Sequence, residues 1–214
     1  MIVRSVRARR EERRQRLPGD ELLVNVMGGS THAITIRRRR RDVWPWLVQM
    51  GADRAGWYSY DVIDNGGQPS AEQIRPELQQ VQVGDVFPAM PGVKEGFVVL
   101  QLETDRLLVL GWPSPDGTPM TTWAFVLKDT EEGHTRLIVR ARAAEGYEPP
   151  FGLPRWTTRS LVPIGHFIMQ RKQLLGIARR VERSPQPVRE HHRIITPLRC
   201  ENGACSEPQV CGCS

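Results

Sequence analysis

Three stretches carry residue types that can do chemistry. In the first, Trp57, Tyr58 and Tyr60 crowd beside Asp61 and Asp64. Carboxylates at i and i+3 share one face of a helical turn. Such a pair can move protons or hold a metal ion, but it serves more often to cap a turn and to pair with a nearby cation. The second is LVPIGHFIMQRKQLLGIARRVER, Leu161 to Arg183, which holds His166 and Arg171. The third is the C-terminal set Cys200, Cys205, Cys211 and Cys213, spaced C-x4-C-x5-C-x-C and preceded by His191 and His192. Thiolates and imidazoles are ligands for zinc or copper(I), but the paired CxxC knuckles of a zinc site are missing. These cysteines are therefore weak metal candidates, and a flexible thiol-bearing tail is the expectation. No HExxH, nucleophile elbow, P-loop or dinucleotide fingerprint occurs. No cofactor is implied, and no residue is assigned a catalytic role.

The elements that position these residues follow from periodicity. At about 100° per residue, Ile164, Phe167, Ile168, Leu174, Leu175, Ala178 and Val181 share one face of a helix. Lys172, Gln173, Arg179 and Arg180 fall away from it, and His166 lies off the stripe and is expected to face solvent. Arg171 interrupts the apolar face, where a charge must find a partner or line a polar cavity. Upstream the period is two. Thr31–Arg37 reads as a strand, and Gly96–Glu103 and Arg106–Trp112 as strands around a Thr104-Asp105 turn. Thr121–Lys128 and Thr135–Ala143 form a second hairpin. In the last strand Leu137, Val139 and Ala141 point one way and Arg136, Ile138, Arg140 and Arg142 the other, as in an antiparallel sheet covered on one face. Asp42 is placed as the N-cap of a short helix ending at Gly51, with Pro45 in its first turn. Ala71–Val81 reads as a helix interrupted by Pro76.

Composition sets the frame. The 214 residues are 39% hydrophobic and 25% charged, with a net charge of +6. That is ordinary globular material, long enough to bury a core without disulfides. Residues 1–16 carry seven Arg and two Glu, so most of the net charge lies there. Residues 1–30 are read as a basic, partly disordered arm, 31–184 as the folded domain, and 185–214 as a flexible tail. Glu148–Pro154 is read as a Pro/Gly linker into the long helix. Arg37–Arg41, five consecutive Arg, reads as a solvated strand end rather than a phosphate patch. No aromatic interleaves that run, so nucleic acid is not an expected partner. No run approaches the roughly 18 apolar residues of a membrane span. With no cysteine before residue 200, the cytoplasm is the expected compartment.

Strand, short helices, antiparallel strands and one long C-terminal helix define an α+β chain. Several motifs in it resemble the SRPBCC superfamily, which includes START, Bet v 1 and polyketide cyclase-like proteins. They are ITI at Ile34–Ile36, DVWPWLVQMG at Asp42–Gly51, GWYSYDVIDN at Gly56–Asn65, IRPELQQVQVGD at Ile74–Asp85, WAFVL at Trp123–Leu127, TRLIVR at Thr135–Arg140 and GHFIMQRKQLLGI at Gly165–Ile177. The likeness is to an uncharacterised bacterial branch and spans about residues 17–183. It implies a helix-grip fold, a curved antiparallel sheet wrapped around a long C-terminal helix, with a largely apolar cavity between them. Where such proteins have small residues and Pro after the first strand, this chain has Arg38–Arg41. The Arg-rich arm and the Cys-rich tail have no counterpart.

The expected function is binding of a small hydrophobic or amphipathic ligand, such as a lipid or polyketide, in that cavity. The expected site residues are Trp57, Tyr58, Tyr60, Asp61, Asp64, Ile164, Phe167, Ile168, Arg171 and Leu175. Arg171 pairs with Asp61 or Asp64, or receives an anionic ligand group. One alternative is a cyclase- or hydrolase-type enzyme using Asp61, Asp64 or His166. Another is an adaptor for nucleic acid or an anionic membrane surface through the Arg-rich arm, of which a weak anionic-surface contact is the part retained. Oligomeric state is left open.

Overall fold

A computed structural model describes residues 5–147 and 162–184. The cysteine cluster, His191-His192 and the Glu148–Pro154 linker lie outside the described residues. The order is α1 (Arg10–Arg14), β1 (Val26–Ile36), α2 (Arg40–Val48), α3 (Asp61–Asp64), β2 (Val86–Pro88), β3 (Gly96–Glu103), β4 (Leu107–Gly111), β5 (Thr121–Asp129), β6 (Thr135–Ala144) and α4 (Val162–Arg183). The six strands form one antiparallel sheet in the order β1-β6-β5-β4-β3-β2. The sheet is curved and α4 packs against it, which is the α+β helix-grip arrangement.

Alternation assigns the two sheet faces. Register places Ile34, Leu137 and Leu127 in one row and His32, Val139 and Phe125 in the next. Ile34, Leu137, Leu127, Val139 and Phe125 belong to the main core, with Leu108, Leu110 and Val99 from β4 and β3. Trp46, Leu47 and Val48 of α2 and Leu174, Ile177, Ala178 and Val181 of α4 close that core from the other side.

The opposite face is also covered. Arg140, as read from the sequence, points away from the core, yet it is only 3% exposed because the N-terminal arm lies over it. Its guanidinium donates to Asp20 Oδ2 at 2.6 Å, to Thr31 Oγ1, and to the carbonyls of Gln15, Glu12 and Arg13. Arg136 pairs with Glu12 at 2.7 Å, and Arg142 with Asp20 at 3.2 Å. Ala8 and Leu17 of the arm pack on Ala33, Val126 and Ile138. From residue 5 onward the arm is therefore a folded layer rather than a solvated tail. The arm gives the basic face of β6 acidic and carbonyl partners.

Local differences have local causes. Strand β1 begins at Val26, five residues before the expected Thr31, because β6 is long enough to pair with it. Helix α2 begins at Arg40, so Asp42 sits in its first turn and accepts from the Arg39 N–H rather than serving as the cap, and Pro45 lies beyond the first turn. Only Pro76–Leu78 of the expected 71–81 helix is helical, as one 3-10 turn, since Pro76 removes a donor and the segment is held by side chains on the core. In the Arg37–Arg41 run, Arg37, Arg39 and Arg41 are exposed as expected, while two side chains find partners. Arg38 donates to the Glu182 carbonyl near the end of α4, and Arg40 pairs with Asp129 at 2.8 Å.

Candidate functional site

The site follows from how α4 is rotated on the sheet. Its C-terminal half is fixed by the buried Leu174, Ile177, Ala178 and Val181, and by Gly176. A Cβ at Gly176 would collide with the Tyr58 carbonyl, so this glycine allows the helix to approach the Gly56–Ser59 turn. Tyr58 itself has φ 59°, a left-handed backbone that a buried aromatic rarely adopts. Projecting the helical period back from these contacts brings Gln173, Gln170 and His166 over the sheet. Ile164, Phe167 and Ile168 then turn outward, at 58%, 47% and 46% exposure. The inward face is thus about a quarter turn from the apolar stripe drawn on the sequence.

Between α4 and the sheet a line of hydrogen-bonded side chains divides the packing in two. Trp123 Nε1 donates to Gln170 Oε1 at 2.9 Å, and Gln170 Nε2 donates to Gln173 Oε1 at 2.8 Å. Gln173 then reaches Met50 Sδ at 3.8 Å. This polar line crosses from β5 to Met50, just beyond the end of α2. On one side of it the space is packed with apolar side chains. On the other side the sheet presents small residues, Ala141 opposite Ser30 and Ala143 opposite Gly28. Ser30, Ala141, Ala143, Trp123 and His166 are all partly exposed there.

Aromatic rings cluster around Trp123. Trp57 stacks on Trp123 with centroids 5.4 Å apart, Phe97 meets both, and Trp112 lies edge-on to Phe97 at 5.5 Å. The His166 ring is 6.4 Å from Trp123, and His32 lies 5.4 Å from Phe167. Three buried polar atoms in this region have no hydrogen-bond partner among the described residues: Ser30 Oγ, His32 Nδ1 and His166 Nε2. Leaving a buried polar atom unpaired costs about 1–3 kcal/mol, so three in one region call for an explanation. Burial, and secondarily the neighbouring His32, lowers the His166 pKa to about 4. Burial lowers that of His32 as well. Both rings are neutral at pH 7 and offer a donor or an acceptor without charge.

The residues singled out from the sequence fall into different settings. Trp57 is in the aromatic wall and donates to the Ala89 carbonyl at 3.3 Å. Tyr58 is core. Its hydroxyl accepts from Gln49 at 2.8 Å, its ring meets Trp46 edge-on, and the Arg180 guanidinium lies over it at 4.8 Å. Burial raises its pKa. Tyr60 is exposed, with Lys172 above its ring at 5.6 Å. Asp61 accepts from both the backbone N–H and the hydroxyl of Ser70, which fastens that loop. Asp64 is buried with Oδ1 unpaired, and burial, with Asp61 adding to it, raises its pKa to about 6. Leu175 is half-buried against the core.

Arg171 makes no ion pair with Asp61 or Asp64. Instead it is exposed and lines a groove of about 550 Å³ along the β1 edge, with Arg7, Arg13, Thr31, His32 and Phe167. The cation that does sit against the Tyr58 segment is Arg180, expected on the outer face. It donates to the Ala71 and Ser70 carbonyls and to Glu72. His166, expected in solvent, is turned inward. Ser30, His32, Gln170 and Trp123 were not singled out. Their signal was present as the polar stripe His166, Gln170, Gln173 at helical spacing, and as His32 in alternation with Ile34 and Ile36. No group of acidic, His or Cys side chains fit for a metal occurs among the described residues. No described helix is long and apolar enough to cross a membrane.

A curved antiparallel sheet gripping a C-terminal helix defines the structural class. No protein-family model and no curated protein matches the sequence. Several solved structures are similar to it at low identity. A Staphylococcus aureus protein of unknown function is 12% identical with a TM-score of 0.44, covering 72% of this chain and 97% of its own. A polyketide cyclase-like protein from Corynebacterium glutamicum is 18% identical with a TM-score of 0.31, covering 72% and 86%. The Aha1 protein of Colwellia psychrerythraea, solved as a dimer, is 15% identical with a TM-score of 0.34, covering 71% and 98%.

Proposed function

We propose that this protein binds a small, largely apolar molecule bearing hydrogen-bonding groups, in the open part of the hollow between the sheet and the first turns of α4. One observation carries the reading: Ser30 Oγ, His32 Nδ1 and His166 Nε2 are buried and unpaired beside a wall of Trp57, Trp123, Phe97 and Trp112. Pockets for such molecules are mostly apolar with a few placed polar groups. A guest hydroxyl or carbonyl would satisfy those atoms, and its ring or chain would lie against the indoles. Of the side chains expected to form the site, Trp57 serves as wall and Phe167 and Arg171 as rim. Tyr58, Asp61 and Leu175 hold the frame.

Binding is favoured over catalysis. Among the described residues Ser30 Oγ has no base hydrogen-bonded to it, and activation of a hydroxyl nucleophile needs one. Organic extraction of the purified protein followed by mass spectrometry should recover a guest. Titration with aromatic polyketides or lipids should quench the fluorescence of Trp57 and Trp123, and His166→Phe should weaken that binding at least tenfold. An empty extract, with no thermal shift and no change in indole emission across such probes, would sink the reading.

A further inference from the structure

The groove along the β1 edge carries a charge that the hollow lacks. Arg7 and Arg13 of the arm reach it from one side and Arg171 of α4 from the other, and no carboxylate among the described residues lines it. Arg13 donates one guanidinium nitrogen to the Ala8 carbonyl. Arg7 and Arg171 are exposed, and neither side chain forms an ion pair among the described residues. At the bottom lies His32, which is 8% exposed with Nδ1 unpaired. Its side chain belongs to the sheet face that meets α4, and it acts electrostatically on His166. His32 is therefore common to the groove and to the hollow. Three cations converging on a pocket without a counter-charge repel one another, and an anion there relieves that repulsion.

We propose that the guest is an amphipathic anion, with its apolar part in the hollow and its carboxylate or phosphate in the groove, held by Arg7, Arg13 and Arg171. His32 would sit at the junction of head and tail. This inference rests on the hollow being the binding site and names the ligand class it takes. Arginine suits the role because its planar fork matches carboxylate and phosphate oxygens.

The test compares dodecanoate, dodecyl phosphate and 1-dodecanol, each below its micellar concentration, by indole fluorescence at low salt. The expected result is that one or both anions bind at least tenfold more tightly than the alcohol, and which one leads identifies the head group. That preference should shrink as salt is added. In Arg171→Gln and Arg7→Gln, whose side chains are exposed, the affinities should converge while the thermal midpoint stays put. Equal affinities in the unaltered protein, or a preference that survives both substitutions, would overturn the anionic groove and leave the hollow standing. Failure of all three probes to bind would overturn both.

Discussion

The two halves of α4 are held by opposite means. Its C-terminal half is packed. Leu174 and Ile177 are fully buried, Gly176 touches the Tyr58 backbone, and Arg180 satisfies the Ser70 and Ala71 carbonyls. Its N-terminal half buries polar atoms that have no partner and exposes Ile164, Phe167 and Ile168 to solvent. One half fixes where the helix lies. The other is loosely packed, as the proposed binding site requires, since sites of that kind trade stability for available groups.

The largest expected effect is in the packed half. Leu174→Ala should lower unfolding free energy by about 3 kcal/mol in urea titrations, since it opens a cavity in a core that cannot collapse around it. A loss below about 1 kcal/mol would mean that this half is not tightly packed either.

Arginine gives the next contrast. Arg180→Met should cost about 2 kcal/mol, because two carbonyls lose a charged donor. Arg171→Met should stay within about 0.5 kcal/mol, as exposed sites do. Thermal or urea melts of both variants decide it, and equal losses would contradict the distinct settings assigned to these two cations.

His166 predicts a pH dependence with a definite sign. Its folded pKa, about 4, is below the ordinary imidazole value, so between those limits the unfolded chain binds the extra proton. The stability it contributes is full above about pH 6.5 and falls away as pH drops toward 4. After allowance for partial solvent access the loss is on the order of 2 kcal/mol. Asp64 has the opposite sign. Its pKa, raised to about 6, makes its contribution complete below about pH 4 and lost as pH rises through 6. Urea titrations at pH 7 and 4.5 should therefore show the steeper acid loss in Asp64→Asn, and that loss should shrink in Asp64→Asn/His166→Phe to the remainder set by His32 and the paired carboxylates. An acid loss unchanged in the double variant would place His166 in solvent after all.

The smallest effect is expected at the exposed apolar positions. Ile168→Ala should change stability by less than about 0.5 kcal/mol. A loss near that of Leu174→Ala would mean that Ile168 is covered, and would restore the stripe drawn from the sequence.

Much of the framework was legible beforehand. Alternation in β6 assigned Leu137, Val139 and Ala141 to one face and the arginines to the other, because strand period is a local property of the backbone. The long helix and both hairpins were legible for the same reason. The site was less so. The pairing of Arg171 with Asp61 or Asp64 failed because Asp61 is taken by Ser70, a residue nine positions away in sequence, and because α4 is rotated away from that carboxylate.

Sequence alone determined the long helix, the two hairpins and the sheet's two faces, since each depends on neighbours a few residues apart. The tertiary structure decided which side of α4 faces the sheet, that the arm covers Arg140, and that Ser30, His32 and His166 converge. Helix rotation depends on a few close contacts, Gly176 against Tyr58 foremost, and a hydrophobic stripe wide enough to fit two orientations cannot choose between them. Burial of the arginines likewise depends on Glu12 and Asp20 arriving from over a hundred residues away.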